Sequence, residues 1–153
     1  MEPKGKLELV RTRPWAAVAR IATSAGDVWF KEPAPSLAFE PALTVAVSRR
    51  MPAFTPEVLA IEGTWMLTRD AGPQLRAVLK SGEPAPTWDE LLPLYAELQI
   101  ELAEAATELV ALGAPDKRPA MLAEAYAGLV ERVGRHNSLD IARLQALAPE
   151  LDS

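Results

Sequence analysis

Hydrophobic and polar positions in the first third of the chain follow the pattern of short β-strands. Residues 15–23 are rich in small and β-branched side chains, and a second apolar run occupies residues 28–31. Residues 24–27, between the two runs, contain the serine, glycine and aspartate that are typical of a turn. The pattern therefore predicts a β-hairpin over residues 15–31.

A helix is predicted after this hairpin. Pro33 and Pro35 interrupt the strand pattern, and apolar positions then recur up to Arg49 and Arg50, whose charges suit the negative end of a helix dipole. Because a proline is tolerated only in the first turn of a helix, Pro41 places the start of the regular helix near Glu40.

A second hairpin is predicted from the apolar runs at residues 54–62 and 63–69. Residues 70–73 then form a turn-like connector, residues 75–79 have room for one or two helical turns, and residues 81–86 have the composition of a linker. The predicted sheet ends at this connector.

The last part of the chain is predicted to be helical. Thr87 and Glu90 have the spacing of a capping box, and Gly113 marks the expected end of a single long helix. One apolar stripe runs along this helix, a second stripe follows it, and a third helix is expected from near Ser138. We expect the first two helices to be antiparallel and to pack through their stripes. The stripes are Leu91, Tyr95, Leu98, Leu102, Ala105, Leu109 and Leu112, then Leu122, Tyr126, Leu129 and Val133, then Ile141, Leu144 and Leu147.

Composition narrows the possible chemistry. The 153 residues include no cysteine and one histidine, which excludes disulfides, thiolate catalysis and histidine-rich metal sites within one chain. The net charge of −5 and the lack of a dense basic cluster give no reason to expect a nucleic-acid partner. We predict a cytoplasmic protein without a membrane partner, because no apolar run is long enough to span a bilayer and the first residues do not form a signal peptide. Arg11, Arg13 and Arg20 form the main basic stretch, for which a solvated edge strand is favoured over a phosphate-binding arm.

Lys31 and Glu40 are the candidate functional pair. Lys31 closes the apolar run 28–31, and Glu40 follows nine positions later in the predicted helix. In kinase-like folds a strand lysine contacts the nucleotide's α- and β-phosphates, and a helical carboxylate holds that lysine in place. Trp29 and Trp65 lie close by in sequence, and core packing is favoured for both over stacking on a base.

This order of elements and several short motifs resemble the aminoglycoside phosphotransferase family of kinase-like enzymes, particularly its bacterial members. The resemblance extends from about residue 11 to residue 112 and consists of several weak motifs in the same order rather than one strong motif. The matching stretches are residues 13–15, 28–31, 39–40, 65–73, 75–76 and 92–99.

The resemblance implies an ATP site. Lys31 would contact the phosphates of ATP, and Glu40 would pair with Lys31. Backbone groups of Thr68 and Asp70 would bond the adenine, with Leu67 at the back of its pocket.

The chain departs from the family pattern in three places. It has no glycine-rich phosphate loop before Trp15, and Pro41 directly follows Glu40. It also lacks the family's His-Gly-Asp catalytic signature and the later metal-binding aspartate; residues 136–140 contain the lone histidine without the Gly-Asp that should follow it. We therefore assign no catalytic or metal-binding residue, expect Mg²⁺ to bind only if a missing C-lobe is supplied, and expect the chain to be inactive alone.

The predicted fold is α+β: a kinase-like N-lobe over residues 1–70, a hinge and linker over 71–87, and the helical start of a truncated C-lobe over 88–153. The predicted function is the nucleotide-binding part of an aminoglycoside phosphotransferase-like small-molecule kinase. The alternative is a non-enzymatic helical interaction module that self-associates or binds a partner through the exposed apolar face of the helix at residues 91–112.

Overall fold

The chain is an α+β protein in the computed structural model, which describes residues 1–135, 141–147 and 149. Its described residues form a five-stranded antiparallel sheet and six α-helices. They divide into two compact units, Met1–Ala114 and Pro115–Ser153. The first helices after residue 87 belong to the same unit as the sheet, and the predicted segments 1–70, 71–87 and 88–153 stay a prediction.

The sheet has the strand order β1-β2-β3-β5-β4. Its strands are β1 (Glu8–Arg13), β2 (Ala16–Thr23), β3 (Gly26–Pro33), β4 (Val58–Glu62) and β5 (Trp65–Arg69). Both predicted hairpins, β2 with β3 and β4 with β5, are confirmed. Gly63 opens the two-residue turn of the second hairpin at a φ of 57°, which glycine adopts without a steric penalty. β1 is an exposed edge strand that carries Arg11 and Arg13, in agreement with the favoured interpretation of those two arginines.

β3 is longer than predicted. The sequence places its end at Lys31, before Pro33, but the strand continues through Pro33, which pairs with Ala16 of β2. On the other side of β3, pairing with β5 stops at the Lys31–Met66 pair. Pro33 therefore lies where one side of β3 is already an edge, and a proline is tolerated there because no neighbouring strand needs its N–H.

Two helices follow the hairpins in the positions that the sequence predicts. α1 (Glu40–Arg50) begins at Glu40, with Pro41 in its first turn, and α2 (Leu75–Ser81) ends at Gly82, whose φ is 74°. The most deeply buried residues of this unit are mostly small, so the strands and helices approach closely. They are Ala16, Ala19, Val28, Pro41, Ala46, Met51, Met66, Thr68 and Ala105.

The predicted long helix consists of two segments. α3 (Trp88–Glu104) begins with the predicted capping box, in which Glu90 Oε2 accepts hydrogen bonds from the Thr87 N–H at 2.7 Å and the Thr87 hydroxyl at 3.0 Å. The bond from the Thr87 N–H is the main cause that lowers the pKa of Glu90. The prediction of one continuous helix is wrong, because buried Ala105 donates to the carbonyl of Leu102, three residues back, and this tighter turn separates α3 from α4 (Ala106–Ala111).

The end of α4 packs against the start of α1. The N–H groups of Gly113 and Ala114 donate to the carbonyls of Val110 and Leu109, which is the Schellman pattern, and Gly113 has a φ of 98°. A Cβ atom at Gly113 would lie 3.0 Å from the Cβ of Phe39, the residue before Glu40. At the other end of α1, Arg50 forms two hydrogen bonds with Glu108 of α4, at 2.5 and 3.3 Å. α4 therefore fixes α1 at both ends.

The second unit contains α5 (Leu122–Gly134) and α6 (Ile141–Gln145). The Tyr126 hydroxyl donates to the carbonyl of Leu144 at 2.8 Å, which joins the two helices. Val130 is the buried residue of α5, whereas Leu129 of the predicted stripe is exposed, so the buried face is rotated by one position. Residues 136–140, which include the lone histidine and the predicted start at Ser138, lie outside the described residues. Packing between the stripes of α3 and α5 stays a prediction.

The contact of Gly113 with Phe39 yields a stability prediction. We expect Gly113→Ala to lower the free energy of unfolding by at least about 2 kcal/mol, because it adds left-handed backbone strain and pushes against Phe39. Gly82→Ala is the matched control: its φ of 74° gives similar strain, but no atom lies within 4 Å of the added Cβ, so about 1 kcal/mol is expected. Urea unfolding of both variants measures the difference, and equal losses would contradict the contact.

Candidate functional site

An ion pair joins the middle of the sheet to the first turn of α1. Lys31 Nζ donates to Glu40 Oε1, and the two side chains are 34% and 26% exposed. The Thr44 hydroxyl donates to the Glu40 carbonyl at 2.8 Å, one turn into the helix. Pro41 does not separate the pair, because it lies in the first turn, where its missing N–H needs no intrahelical partner. The structure therefore contains the pairing that the sequence predicts.

The pairing register defines which residues share a face of the sheet with Lys31. Cross-strand partners point to the same side, so Val18 on β2 and Met66 on β5 share the face of Lys31. Trp29 and Thr68, each two residues away along its strand, lie on this face as well. We call this side of the sheet the Lys31 face.

A cavity of about 320 Å³ opens on the Lys31 face at the end of β5. Val18, Trp29 and Thr68 line it from the sheet, and Asp70 and the residues that follow it line it from the connector. Because Lys31 is only two residues along β3 from Trp29, the ion pair lies about 7 Å further along the same strand. Neither Lys31 nor Glu40 lines the cavity, so the ion pair lies beside the cavity on the same face of the sheet.

Trp29 and Asp70 hold the connector against the sheet. The Trp29 indole N–H donates to Asp70 Oδ1 at 2.9 Å, and the same oxygen accepts a hydrogen bond from the Gly72 N–H at 3.3 Å. Trp29 is half-buried and lines the cavity, and the choice between core packing and stacking on a base stays a prediction. Trp65 instead packs on Phe30 of the opposite face, with ring centroids 5.7 Å apart.

The residues predicted to bond an adenine have different positions in the structure. Thr68 and Asp70 both line the cavity, but Thr68 is paired with β3 and β4, and the Asp70 N–H donates to the carbonyl of Asp27 at 3.2 Å. Leu67 pairs with Phe30, so alternation along β5 places its side chain on the face opposite Lys31. The structure thus brings Thr68 and Asp70 to the cavity and does not bring Leu67 there.

Two of the neighbouring arginines are held by carboxylates. Arg20 contacts Glu8 at 2.7 Å and Asp27 at 3.4 Å, and its hydrogen bond to Glu8 is the main cause that raises the pKa of Arg20. Arg69 contacts Glu57 at 2.6 Å, and that hydrogen bond raises the pKa of Arg69. Their charges are therefore balanced locally.

The sequence favours a solvated edge strand for Arg11 and does not predict that this residue also lines the cavity. This side chain reaches the cavity because β1 contains a bulge between Leu9 and Arg11, after which Arg11 is paired with Val18. A bulge shifts the alternation of side chains by one residue, and no turn-forming residue at this place in the sequence indicates it. The position of Trp29, by contrast, follows from its spacing of two residues from Lys31.

No protein-family model matches this chain, and no curated protein matches its sequence. Within residues 1–135, 141–147 and 149, no helix is both long and apolar enough to cross a membrane. The same residues contain no cluster of three histidine, aspartate or glutamate side chains arranged to hold a metal ion.

Proposed function

We propose that this chain is the nucleotide-binding part of an aminoglycoside phosphotransferase-like small-molecule kinase, with an N-lobe of the protein-kinase type. The Lys31–Glu40 ion pair carries the proposal. In protein kinases the phosphate-binding lysine lies on the third strand, and its carboxylate partner lies on the helix that follows. Lys31 has this place on β3, and Glu40 has it on α1.

The shape of the Lys31 face supports a ligand with an apolar end and an anionic end. The cavity offers the flat ring of Trp29 to a base, and its volume lies near the lower end of the usual range for ligand pockets. Lys31 offers a positive charge to phosphates, and Glu40 keeps that charge at a fixed position. These residues fit ATP, which would supply the phosphoryl group for transfer when bound.

A backbone hydrogen bond at the end of β5 affects how a base could bind there. Because the Asp70 N–H is bonded to the Asp27 carbonyl, an adenine that used the Asp70 N–H would have to displace that bond. Trp29 lines the same cavity, and its indole N–H bonds a side-chain oxygen of Asp70 rather than the backbone group that adenine would use. In the proposal, stacking on Trp29 therefore contributes most of the contact with the base.

We further propose that this chain binds nucleotide but does not transfer phosphate by itself. No residue of this chain is assigned as a catalytic base or as a metal ligand. In the intact family the aspartate that orients the acceptor hydroxyl and the acids that hold Mg²⁺ come from the C-lobe. The choice of acceptor would also depend on that lobe.

Titration calorimetry with ATP and ADP, with and without Mg²⁺, tests the proposal. We expect Lys31→Ala to weaken binding at least about tenfold, because a hydrogen bond to a charged group contributes about 1.5–3 kcal/mol. Lys80→Ala removes the same charge from the exposed end of α2 and is expected to leave affinity within about twofold.

Two results would contradict the proposal. One is that the folded wild-type protein binds neither nucleotide. The other is that Lys31→Ala and Lys80→Ala have the same small effect on nucleotide affinity. If neither nucleotide binds, self-association through α3 is the favoured function.

The second candidate function is self-association through α3. Trp88, Leu92 and Tyr95 follow one another at helical spacings of four and three residues and are 69%, 56% and 57% exposed. They line an apolar groove of about 690 Å³, which Phe54 completes. Because these apolar residues of α3 form the wall of the groove, the same surface of a second copy of the chain could pack against them in a two-fold symmetric contact.

Sedimentation velocity tests this second candidate. We expect the wild-type protein to dimerise at roughly tens of micromolar and Leu92→Lys to be monomeric, because a charge in the apolar contact would be desolvated on association. Leu79→Lys, at a similarly exposed leucine of α2, is expected to dimerise like the wild type. A wild-type protein that stays monomeric at every concentration tested would contradict the candidate.

A further inference from the structure

Arg11 stands in the same cross-strand row as Lys31. Arg11 on β1 is paired with Val18 on β2, and Val18 is paired with Lys31 on β3. All three side chains therefore project from the Lys31 face. Neighbouring strands are about 4.8 Å apart, so the backbone positions of Arg11 and Lys31 are separated by about 10 Å. Both side chains are long enough to approach a ligand that lies over Val18.

Arg11 differs from the other arginines around the cavity. Arg20 and Arg69 each bond a carboxylate, whereas the side chain of Arg11 forms no hydrogen bond or ion pair with any residue that the structure describes. It is exposed and contributes to the cavity wall. An arginine that lines a cavity without a carboxylate partner retains all of its hydrogen-bonding capacity for a ligand.

The charge balance of the site gives Arg11 a function. Lys31 is compensated by Glu40, so the pair adds no net positive charge, although each phosphate of a nucleotide is negative. The cavity wall also contains the carboxylate of Asp70, whose Oδ1 accepts hydrogen bonds from Trp29 and Gly72. The guanidinium of Arg11 offers the positive charge that the Lys31–Glu40 pair does not add, and it can donate two parallel hydrogen bonds to phosphate oxygens, a geometry that lysine does not offer. In kinases the glycine-rich loop covers the phosphates at this part of the sheet. Arg11 takes over that contact with a side chain.

We propose that Arg11 is a second phosphate-binding residue and that Arg11 and Lys31 together make nucleoside di- and triphosphates the preferred ligands of this site. The inference rests on the proposed nucleotide-binding function. Two cations on either side of Val18 favour a ligand with two or three linked phosphates over a ligand with one phosphate. Adenosine monophosphate is therefore expected to bind more weakly than ADP.

The experiment is titration calorimetry of ADP and AMP with the wild type, Arg11→Ala, Arg11→Lys and Arg13→Ala. We expect Arg11→Ala to weaken ADP binding about tenfold, and Arg11→Lys to have an intermediate effect because it keeps the charge but loses the planar fork. The preference for ADP over AMP should shrink in Arg11→Ala. Arg13→Ala is the matched control, because Arg13 is an exposed arginine of the same strand that does not line the cavity; we expect a change within about twofold.

The results can distinguish failure of the proposed role of Arg11 from failure of the proposed nucleotide binding. If ADP binds the wild type and binding weakens in Lys31→Ala but not in Arg11→Ala, the nucleotide site stands and the role of Arg11 is overturned. Equal losses in Arg11→Ala and Arg13→Ala would also overturn it, since they would reflect net charge alone. If Arg11→Ala weakens ADP and AMP equally, the preference for several phosphates is overturned. A folded wild type that binds no nucleotide overturns both proposals.

Discussion

The ion pair between Lys31 and Glu40 links the sheet to α1 and fixes the position of the Lys31 amine on the Lys31 face. A partly exposed ion pair contributes only about 0–1 kcal/mol to stability, so its main effect is to fix a position. The rest of the first unit holds the two partners in place. β3 is paired on both sides at Lys31, while α4 contacts Phe39 at the start of α1 and Arg50 at its end. The pair is therefore supported by rigid elements on each side.

Charge is distributed unevenly over the surface around this pair. Arg20 and Arg69 are each balanced by carboxylates, and Lys31 is balanced by Glu40. Arg11 is the cavity arginine for which the described residues provide no such balance. An anion that approaches the Lys31 face would thus meet one positioned lysine and one available arginine. The proposed phosphate binding rests on this local arrangement, because the net charge of the whole protein is −5.

Local patterns predicted most of the secondary structure, and tertiary contacts decided what they missed. The turn at residues 24–27, the capping box at Thr87 and the glycine after α4 each act within a few residues, so their effects were visible in the sequence. The extension of β3 to Pro33 depends on where β5 stops pairing, and the break at Ala105 lies inside a continuous apolar stripe. The likeness of the element order to kinase-like folds implied the pairing of Lys31 with Glu40, whereas the place of Arg11 depends on a bulge in the pairing of β1 with β2.

A double-mutant cycle on ADP affinity tests most directly whether Glu40 acts through Lys31. It compares the wild type, Lys31→Ala, Glu40→Ala and the double variant by titration calorimetry. If Glu40 positions Lys31 for phosphate, Glu40→Ala weakens ADP binding severalfold in the wild-type background and has no weakening effect once Lys31 is alanine (roughly 1 kcal/mol of coupling). Equal effects of Glu40→Ala in both backgrounds would contradict the account, because the ion pair would then have no part in binding the nucleotide.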